Sequence, residues 1–339
     1  MRPPYQVRTT ATERSSAAAK RRFVAKLTCV LICPLACKND RAERSSAVAS
    51  ASASRSVSRP RQSAVRYDVL YLPDGGDRPP PEVERPAAEQ PVAPPSRCPP
   101  EMVSIRGEFC IDRYEAVLED GRGRRISPYY HPTQAQTRAT YEHWLAAPPR
   151  TEEASTVQLL APPSWQLDEQ FTPTAVVRRG EIPNGYVSGQ IADLACRRAG
   201  KRLCTEEEWV TACRGERGTD FPYGSEYEAG RCNVFREAHP AQVLHGNPSI
   251  GHLDPRLNLV VVGGQPLLRP TGATSTCGSK WGDDVVMDMV GNLDEWVDDP
   301  DGVFLGGFYS RATKEGCAQR VGAHTWEYFD YSLGLRCCR

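Results

Sequence analysis

The sequence predicts one disulfide-rich α+β domain with much irregular structure, extending over residues 98–339. Three observations favour this fold class: two short capped helices, short β-like runs separated by turns, and ten of the chain's 13 cysteines in this region. An even number of cysteines in an exported domain is typical of a disulfide framework. Each disulfide stabilises a fold by about 2–4 kcal/mol, which offsets the modest amount of regular structure.

Residues 1–37 have the organisation of a signal peptide. A basic stretch precedes an apolar run from Leu27 to Ala36, roughly half the length of a membrane span. A short buried helix is the alternative for this run. The pair Ala36–Cys37 is similar to a bacterial lipoprotein cleavage site, although Leu35 stands one residue later than the leucine usual there. These features predict export, lipidation of Cys37 and a location in the periplasm or at the cell surface, with the lipid inserted in the membrane.

Residues 38–97 are rich in Ser, Ala, Arg and Pro, and such a composition cannot bury enough apolar surface to offset the entropy lost on ordering. We expect a disordered tether, in which only 65–73, VRYDVLYLP, has the composition of a short strand. The whole chain has 42 basic and 42 acidic residues, so its net charge gives no argument for a nucleic-acid partner.

The domain begins with β-like sequence. Met102–Ile105 and 108–114 predict two short strands on either side of Gly107. Residues 120–187 contain many prolines and two tryptophans, and we expect a long irregular segment there. From 216 to 339 the chain is rich in glycine and aromatic residues and has few long periodic runs. This composition is typical of short elements joined by turns.

Two helices are predicted between these regions. The first has Ser188 as its N-cap and Gly200 as its stop signal. Its predicted apolar face consists of Ile191, Leu194, Ala195 and Ala199. The second carries a capping box, since Thr205 is followed three residues later by Glu208.

Four stretches of the domain together resemble one enzyme family. They are ACRRAGKRLCTEEEWVTACRG at 195–215, FPYGSEYEAGRCNVF at 221–235, DMVGNLDEW at 288–296, and a Gly-Gly pair at 306–307 followed by LGLRC at 333–337. In this order they resemble the sulfatase-modifying-factor family, whose type member is the formylglycine-generating enzyme. The resemblance covers 98–339, with 120–185 poorly matched, and implies a C-type-lectin-like fold.

The catalytic thiols that the resemblance implies are missing from this chain. Family enzymes oxidise a cysteine of a sulfatase to formylglycine with oxygen, and two thiolates a few residues after the Gly-Gly pair hold their copper ion. Here Arg311 stands at the position of the first thiol, and no cysteine occurs between Gly307 and Cys317. Asp294 replaces a tryptophan of the family. We therefore predict no catalytic residue and do not expect copper.

The resemblance also implies two disulfides that join the helical region to the C-terminal strands, Cys196–Cys337 and Cys213–Cys317. Three further pairs are hypotheses only, because spacing does not determine connectivity: Cys98–Cys110, Cys232–Cys277 and Cys204–Cys338. The alternative for the last pair is that both cysteines stay reduced and form a relocated metal or redox pair.

The loop 288–296 corresponds to a calcium-binding loop of the family. Ca²⁺ prefers oxygen donors from carboxylates and backbone carbonyls. The ligands implied for this ion are the side chains of Asp288 and Glu295 and the carbonyls of Gly291 and Leu293. The alternative is an Asx-type turn with Glu295 in an ion pair. The ligands implied for a second calcium ion are Asn233 and the Val234 carbonyl.

The histidines do not form a catalytic or metal-binding set, because none of their spacings matches a zinc motif. His324 is a candidate for facing the former catalytic groove, with a packed or surface histidine as the alternative. The aromatic residues that form either a recognition surface or part of the core are Tyr129, Tyr130, Trp144, Trp165, Tyr309, Trp326, Tyr328 and Tyr331.

Two functions are consistent with these features. The first is a non-catalytic binding or structural module, exported and anchored by its lipid, with an unknown protein or glycan ligand. The second is an oxidoreductase of the formylglycine-generating type with relocated metal ligands. The missing thiol pair favours the first, because a fold does not by itself imply the activity of its family. A purely structural role in the cell envelope is a third alternative.

Overall fold

The computed structural model describes residues 97–299, 301–311, 314–322 and 324–339. The predicted signal peptide, the lipidation site Cys37 and the tether up to residue 96 lie outside the described residues. Within the described ranges, no helix has both the length and the apolar character needed to cross a bilayer.

Short helices and strands alternate with long connecting segments. The helices are α1 (Gln134–Ala146), α2 (Glu152–Thr156), α3 (Ser164–Asp168), α4 (Gly189–Arg198), α5 (Glu206–Arg214) and α6 (Pro240–His245). The strands are β1 (Met102–Ile105), β2 (Phe109–Asp112), β3 (Ala116–Glu119), β4 (Thr174–Val177), β5 (Arg202–Leu203), β6 (Val261–Val262), β7 (Gln265–Pro266), β8 (Gly278–Trp281), β9 (Asp284–Met287), β10 (Asp294–Trp296), β11 (Phe304–Leu305), β12 (Arg320–Val321), β13 (Leu333–Leu335) and β14 (Cys337–Cys338).

Two four-stranded sheets organise the described strands, one in the order β1-β2-β14-β5 and the other in the order β12-β11-β10-β13. Strand β10 runs parallel to β13, with Glu295 opposite Gly334. The pairs β3–β4, β6–β7 and β8–β9 form smaller sheets. Only Arg336 separates β13 from β14. This residue therefore lies where the chain passes from one four-stranded sheet to the other.

The first two strands lie where the sequence predicts them, although β2 is shorter than the predicted run at 108–114. They pair antiparallel, with Val103 opposite Ile111. Gly107 in the turn between them has φ +75°, a left-handed value that glycine adopts readily.

The expectation of an irregular segment at 120–187 is wrong in part. This region contains α1, the longest helix of the described chain, together with α2, α3 and β4. The buried residues of α1 are Thr137, Thr140 and Trp144. Their spacing places them on one face of the helix, but two of the three are polar, so no hydrophobic period marks the helix. The Thr137 hydroxyl is satisfied by an N–H of the buried Gln166, at 3.0 Å.

Both helices predicted from capping signals are present. The Ser188 side chain accepts a hydrogen bond from the backbone of Ile191 at the start of α4. At the start of α5, the Thr205 hydroxyl accepts from the Glu208 backbone and the Glu208 carboxylate accepts from the Thr205 backbone. The capping box read from the sequence is therefore confirmed.

The buried face of α4 differs from the predicted one. Leu194 is 38% exposed, and of the predicted face only Ala195 is buried. The residues that α4 buries are Gly189, Ala192, Ala195 and Cys196. Gly189 lies against Trp326, since a Cβ at Gly189 would come within 2.0 Å of that ring. Close packing of small residues, and not a stripe of large apolar ones, holds this helix.

Replacing Thr205 by alanine is expected to lower the free energy of unfolding by about 0.5–2 kcal/mol. The reason is that the backbone N–H of Glu208 loses the hydroxyl acceptor that it has at 3.2 Å. Urea unfolding followed by circular dichroism measures the change. Thr205→Ser keeps the acceptor and is the control. An equal loss in both variants would contradict a capping role for the hydroxyl.

Five disulfides join the ten described cysteines, and they connect the same five pairs that were named from the sequence. Cys196 of α4 is joined to Cys337, and Cys204, just after β5, is joined to Cys338. Two neighbouring residues of β14 are thus each tied covalently to the α4–β5 region. Five disulfides in one domain indicate a protein outside the reducing cytoplasm.

Several aromatic residues considered for a recognition surface belong to the core. Tyr130, Trp144, Tyr309 and Tyr331 are buried. The half-buried members of the same set are Tyr129, Trp165, Trp326 and Tyr328. Within this set, the second group is the one with substantial exposure to solvent.

Candidate functional site

The Gly306–Gly307 pair turns the chain sharply at the end of β11. Gly306 has φ +91°, and a Cβ at this position would lie 2.7 Å from the Met289 carbonyl oxygen and 3.0 Å from the Trp209 ring. No larger residue fits this approach of the backbone. The next two residues, Phe308 and Tyr309, are buried, and Ser310 and Arg311 are half-buried.

Arg311 forms an ion pair with Asp294 of β10. Its Nη2 and Nε donate to Asp294 Oδ2 at 2.8 and 3.3 Å. The Asp294 side chain is 0% exposed and that of Arg311 is 28% exposed. Burial raises the pKa of Asp294 to about 6, although the charge of Arg311 opposes this shift. The backbone N–H of Gly307 also opposes this rise in the Asp294 pKa, although the buried Oδ1 has no hydrogen bond of ordinary distance and angle from the described residues.

Aromatic and histidine side chains surround Arg311. Its guanidinium carbon lies 5.3 Å from the centre of the Phe308 ring. The charge of Arg311 acts on both His324 and Tyr331, and the Tyr331 hydroxyl lies 3.0 Å from His239 Nε2. Burial lowers the pKa of His239 to about 4 and also lowers the pKa of His324. Both histidines are therefore neutral at neutral pH. The His324 ring stacks on that of Tyr328, with the ring centres 4.1 Å apart, so His324 is packed against a neighbour, and its facing the former catalytic groove stays a prediction.

A second ion pair, between Glu295 and Arg336, lies deeper in the domain. Nε and Nη2 of Arg336 donate to both carboxylate oxygens of Glu295 at 2.9–3.2 Å, and the Trp209 indole N–H donates to Glu295 Oε2 at 2.7 Å. Arg336 also donates to the carbonyls of Asp112 and Met287. Its side chain is 0% exposed. Arg336 thus connects β2, β9 and β10.

Two more buried carboxylates lie within range of the Arg336 charge. The Glu115 carboxylate accepts hydrogen bonds from the Asn292 side chain at 2.7 Å and from the backbone N–H of Leu293 at 3.2 Å. Asp288 accepts from the Gly272 backbone at 2.6 Å. Burial and neighbouring negative charges raise the pKa of Glu115 well above its usual range, and burial raises the pKa of Asp288 to about 6. One buried guanidinium therefore acts on four buried carboxyl groups, those of Glu295, Glu115, Asp288 and Asp112.

The described residues place no thiol beside Arg311. Cys317, the next cysteine along the chain, is joined to Cys213 at the end of α5. Cys204 and Cys338, the candidates for a relocated reduced pair, are joined to each other. A copper ion held by two thiolates has no ligands in this arrangement of the described chain.

Residues 88–338 match the family model described as the sulfatase-modifying factor enzyme 1-like domain. The chain belongs to this family. Family membership, the mixed helices and strands and the disulfides together confirm the predicted C-type-lectin-like α+β fold class.

Two relatives of the sulfatase-modifying factor family match a short stretch of the chain. The Bos taurus protein named "Inactive C-alpha-formylglycine-generating enzyme 2" is 39% identical over 61 residues, 18% of this chain and 20% of the relative. The Mus musculus protein of the same name is 38% identical over 61 residues, with the same coverage. The matched stretch thus spans only a fifth of each relative.

Solved structures with a similar arrangement include the Major Tropism Determinant I1 variant and PvdO from Pseudomonas aeruginosa. The first has a TM-score of 0.37 and 12% identity, and the similarity covers 73% of this chain and 54% of that one. The second has a TM-score of 0.30 and 17% identity, and the similarity covers 68% of this chain and 80% of that one.

The side chains of the first calcium position do not fit a calcium ion as they are arranged. Both oxygens of Glu295 already accept hydrogen bonds from Arg336, and Oε2 accepts a further one from Trp209. A bound cation would also lie against a buried guanidinium. No group of three or more His, Cys, Asp or Glu side chains in the described ranges is arranged to hold a metal ion. Glu295 is in an ion pair, and calcium stays a prediction that requires it to release Arg336.

The second calcium position also carries a positive side chain. Asn233 Oδ1 accepts from Nη1 of Arg236 at 3.4 Å. Asn233 Nδ2 donates to the Leu267 carbonyl and to Asn292 Oδ1. An amide oxygen directed at a guanidinium does not fit a calcium ion in this arrangement. The Val234 carbonyl stays a predicted ligand of the second calcium ion.

Sequence reasoning placed Asp288, Glu295 and Arg311 at this site but did not identify Glu115 or Arg336 as part of it. Glu115 directly precedes the apolar residues of β3, and Arg336 interrupts the buried residues of β13 and β14. A single charged residue next to or inside an apolar run is the signal that could have found both, because it predicts a buried charge with a partner.

The free energy of unfolding is expected to depend on pH through Asp294. Its pKa is raised to about 6 in the folded protein, so between about pH 4 and pH 6 the folded state binds more protons than the unfolded chain. The contribution of Asp294 to stability therefore declines as the pH rises through this window and is constant above it. Asp294→Asn removes this pH dependence. The free energy of unfolding of the variant, measured relative to that of the unchanged protein, is therefore expected to rise by about 1–3 kcal/mol between about pH 4 and pH 7. Urea unfolding at a series of pH values measures this difference. A difference that is the same at every pH would contradict the prediction.

Proposed function

We propose that this chain is a non-catalytic binding or structural module of the sulfatase-modifying factor family, exported and anchored to the membrane through a lipid on Cys37. One observation carries the proposal. Arg311, at the position of the first copper-binding thiol, is paired with the buried Asp294 at 2.8 Å.

The ion pair is incompatible with copper-dependent oxidation of a cysteine substrate at this position. A Cu(I) ion is held by soft thiolate ligands, whereas a guanidinium has no lone pair to donate and carries a positive charge. The partner Asp294 is 0% exposed, so removing Arg311 from it would leave an unpaired buried carboxylate. The ion pair therefore supports the proposal that Arg311 stably replaces the first catalytic thiol.

The cysteines argue in the same direction. An oxidase with relocated ligands needs two reduced thiols, and its candidates Cys204 and Cys338 form a disulfide. The names of both similar mammalian proteins describe those proteins as inactive. We favour the non-catalytic function over the oxidoreductase on these grounds.

Export and anchoring rest on the sequence before the described residues and on the disulfides. A lipid on Cys37 followed by the tether 38–97 would hold the domain at a distance from the membrane and leave its loops accessible to a protein or glycan ligand. Metabolic labelling of the full chain with a radioactive fatty acid tests the anchor. Label is expected in the unchanged chain and is expected to be absent in Cys37→Ala. Label that persists in the variant would reject Cys37 as the attachment site.

The absence of catalysis is tested with the oxidised domain, Cu(I), oxygen and a cysteine peptide from a sulfatase. We expect no formylglycine by mass spectrometry and no alkylation of the domain by iodoacetamide before reduction. Formylglycine above the level of a protein-free control would reject the proposal. Alkylated Cys204 and Cys338 together with Cu(I) binding would favour the oxidoreductase.

A further inference from the structure

Arg236 and Arg269 hydrogen-bond to two uncharged side chains, Asn233 and Asn292, that are themselves hydrogen-bonded to each other. Arg236 Nη1 donates to Asn233 Oδ1 at 3.4 Å, and Asn233 Nδ2 donates to Asn292 Oδ1 at 2.9 Å. The backbone N–H of Arg269 donates to that same oxygen of Asn292 at 3.0 Å. The Arg269 side chain then bonds to the Thr274 hydroxyl at 3.2 Å. The two arginines are thus held on a polar support that contributes no negative charge.

Neither arginine forms an ion pair with a carboxylate of the described residues. Of the arginines in the described ranges that lack an ion pair, only Arg214, Arg236 and Arg269 are half-buried, and the others are exposed. Arg236 and Arg269 also lie close enough for their charges to repel each other. Repulsion between two half-buried charges of the same sign is unfavourable, and a bound anion would remove it.

The carboxylate that acts on Arg269 through space is Asp288. Its side chain is buried, and its Oδ2 accepts from the Gly272 backbone at 2.6 Å. Asp288 is thus held in place by Gly272 and also faces the charge of Arg336. It offsets part of the charge of Arg269, and the charge of Arg236 is left without a counter-ion among the described residues.

We propose that Arg236 and Arg269 form a binding site for an oxyanion, the sulfate or phosphate group of a ligand. Guanidinium groups present parallel N–H donors that match the oxygens of such anions, and they bind them with charge-assisted hydrogen bonds. This site goes beyond the proposed function because it assigns a ligand chemistry to a surface beside the former thiol segment, where the Arg236 backbone donates to the Tyr309 carbonyl at 2.9 Å.

Phe235, the residue before Arg236 in the chain, extends the proposal to an oxyanion that is part of an organic ester. Its ring is 38% exposed, and its φ of +61° is a left-handed value that a bulky residue rarely adopts. The ring lies 5.7 Å from that of Tyr227. An aromatic surface directly before Arg236 suits the apolar part of an ester whose charged group meets the two arginines.

The test is isothermal titration of the oxidised full chain with sodium phosphate and sodium sulfate, with sodium chloride at matched ionic strength as the reference. We expect saturable binding of at least one of the two anions, weakened by about tenfold or more in Arg236→Gln and in Arg269→Gln. Arg214→Gln is the matched control, since this half-buried arginine of α5 also has no ion pair within the described part of the chain. It is expected to bind as the unchanged protein does. Disulfide mapping of each variant verifies its fold.

The proposal is overturned by the absence of saturable binding above the chloride reference, or by a double variant of both arginines that binds like the unchanged protein. Phenyl phosphate distinguishes the two sources of the oxyanion. An ester site binds it more tightly than inorganic phosphate, and Phe235→Ala removes only that difference. Equal affinity for both probes would overturn the ester and retain a site for the free anion. None of these outcomes depends on formylglycine formation, so the two proposals can fail separately.

Discussion

A variant that lacks both disulfides of β14 is expected to be unfolded, whereas variants that lack either one alone are expected to fold. The disulfides Cys196–Cys337 and Cys204–Cys338 have sequence separations of 141 and 134, so they close nearly the same loop. While one is present, the other adds only the constraint of a loop of roughly nine residues, about 2–3 kcal/mol. Cys213–Cys317 stays intact in these variants and shortens the loop that the first β14 disulfide closes to roughly 40 residues, which accounts for about 4 kcal/mol. Losing both disulfides thus removes about 6–7 kcal/mol, comparable to the total stability of a small domain, which is about 5–15 kcal/mol.

The measurement is urea unfolding, without reductant, of the two paired alanine variants and of the variant with all four substitutions. Cys98→Ala with Cys110→Ala is the control, because that disulfide has a sequence separation of only 12 and is expected to contribute about 3 kcal/mol. A fourfold variant that folds, with a loss equal to the sum of the two paired variants, would show that the disulfides do not share a loop.

Arg336→Met is expected to reduce the free energy of unfolding by about 3–5 kcal/mol, because it leaves the buried Glu295 carboxylate without its cation. Glu115 and Asp288 add to the loss, since the charge of Arg336 opposes the raised pKa of both. Thermal and urea unfolding measure the change. Arg320→Met is the matched control: Arg320 also pairs with a glutamate but is 46% exposed, and an exposed ion pair contributes about 0–1 kcal/mol.

A second variant separates the lost ion pair from lost packing. Glu295→Gln combined with Arg336→Met has no buried charge at either position, and the glutamine still offers an oxygen to the Trp209 indole N–H. The double variant is expected to be more stable than Arg336→Met alone. If it is as unstable as the single variant, the loss comes from packing and the carbonyl hydrogen bonds of Arg336, and not from the unpaired carboxylate.

The parts of the fold that the sequence predicted well are those specified by local chemistry. The capping box at Thr205 and the cap at Ser188 begin helices where expected, because the side chains that terminate a helix are close in sequence to the groups they bind. Helix α1 was missed because Thr137 and Thr140 occupy its buried face, and the hydroxyl of Thr137 depends on Gln166, 29 residues away. Partners at such distances cannot be read from a periodic pattern.

In the candidate site too, residues marked by local sequence could be predicted, whereas their distant partners could not. Arg311 was located because its distance from the Gly-Gly pair is a matter of counting residues. Its partner Asp294 lies 17 residues away, and Arg336 lies 41 residues from Glu295. The sequence shows unusual residues at Asp294 and Arg311 separately, but only the parallel pairing of β10 with β13 and the return of the Gly-Gly segment bring the partners together.

The position of β14 between β2 and β5 has a consequence for biosynthesis. Cys337 and Cys338 follow all other described cysteines in the chain, so under the proposed export a nascent domain that is translocated in sequence order presents eight described cysteines before the last two appear. During that interval β2 and β5 lack the strand that separates them, and Cys196 and Cys204 lack their partners. These two cysteines are then available for pairing with other thiols of the chain. The domain is therefore expected to depend on an isomerase that reshuffles early disulfides, and its maturation would be limited by the arrival of its final strand.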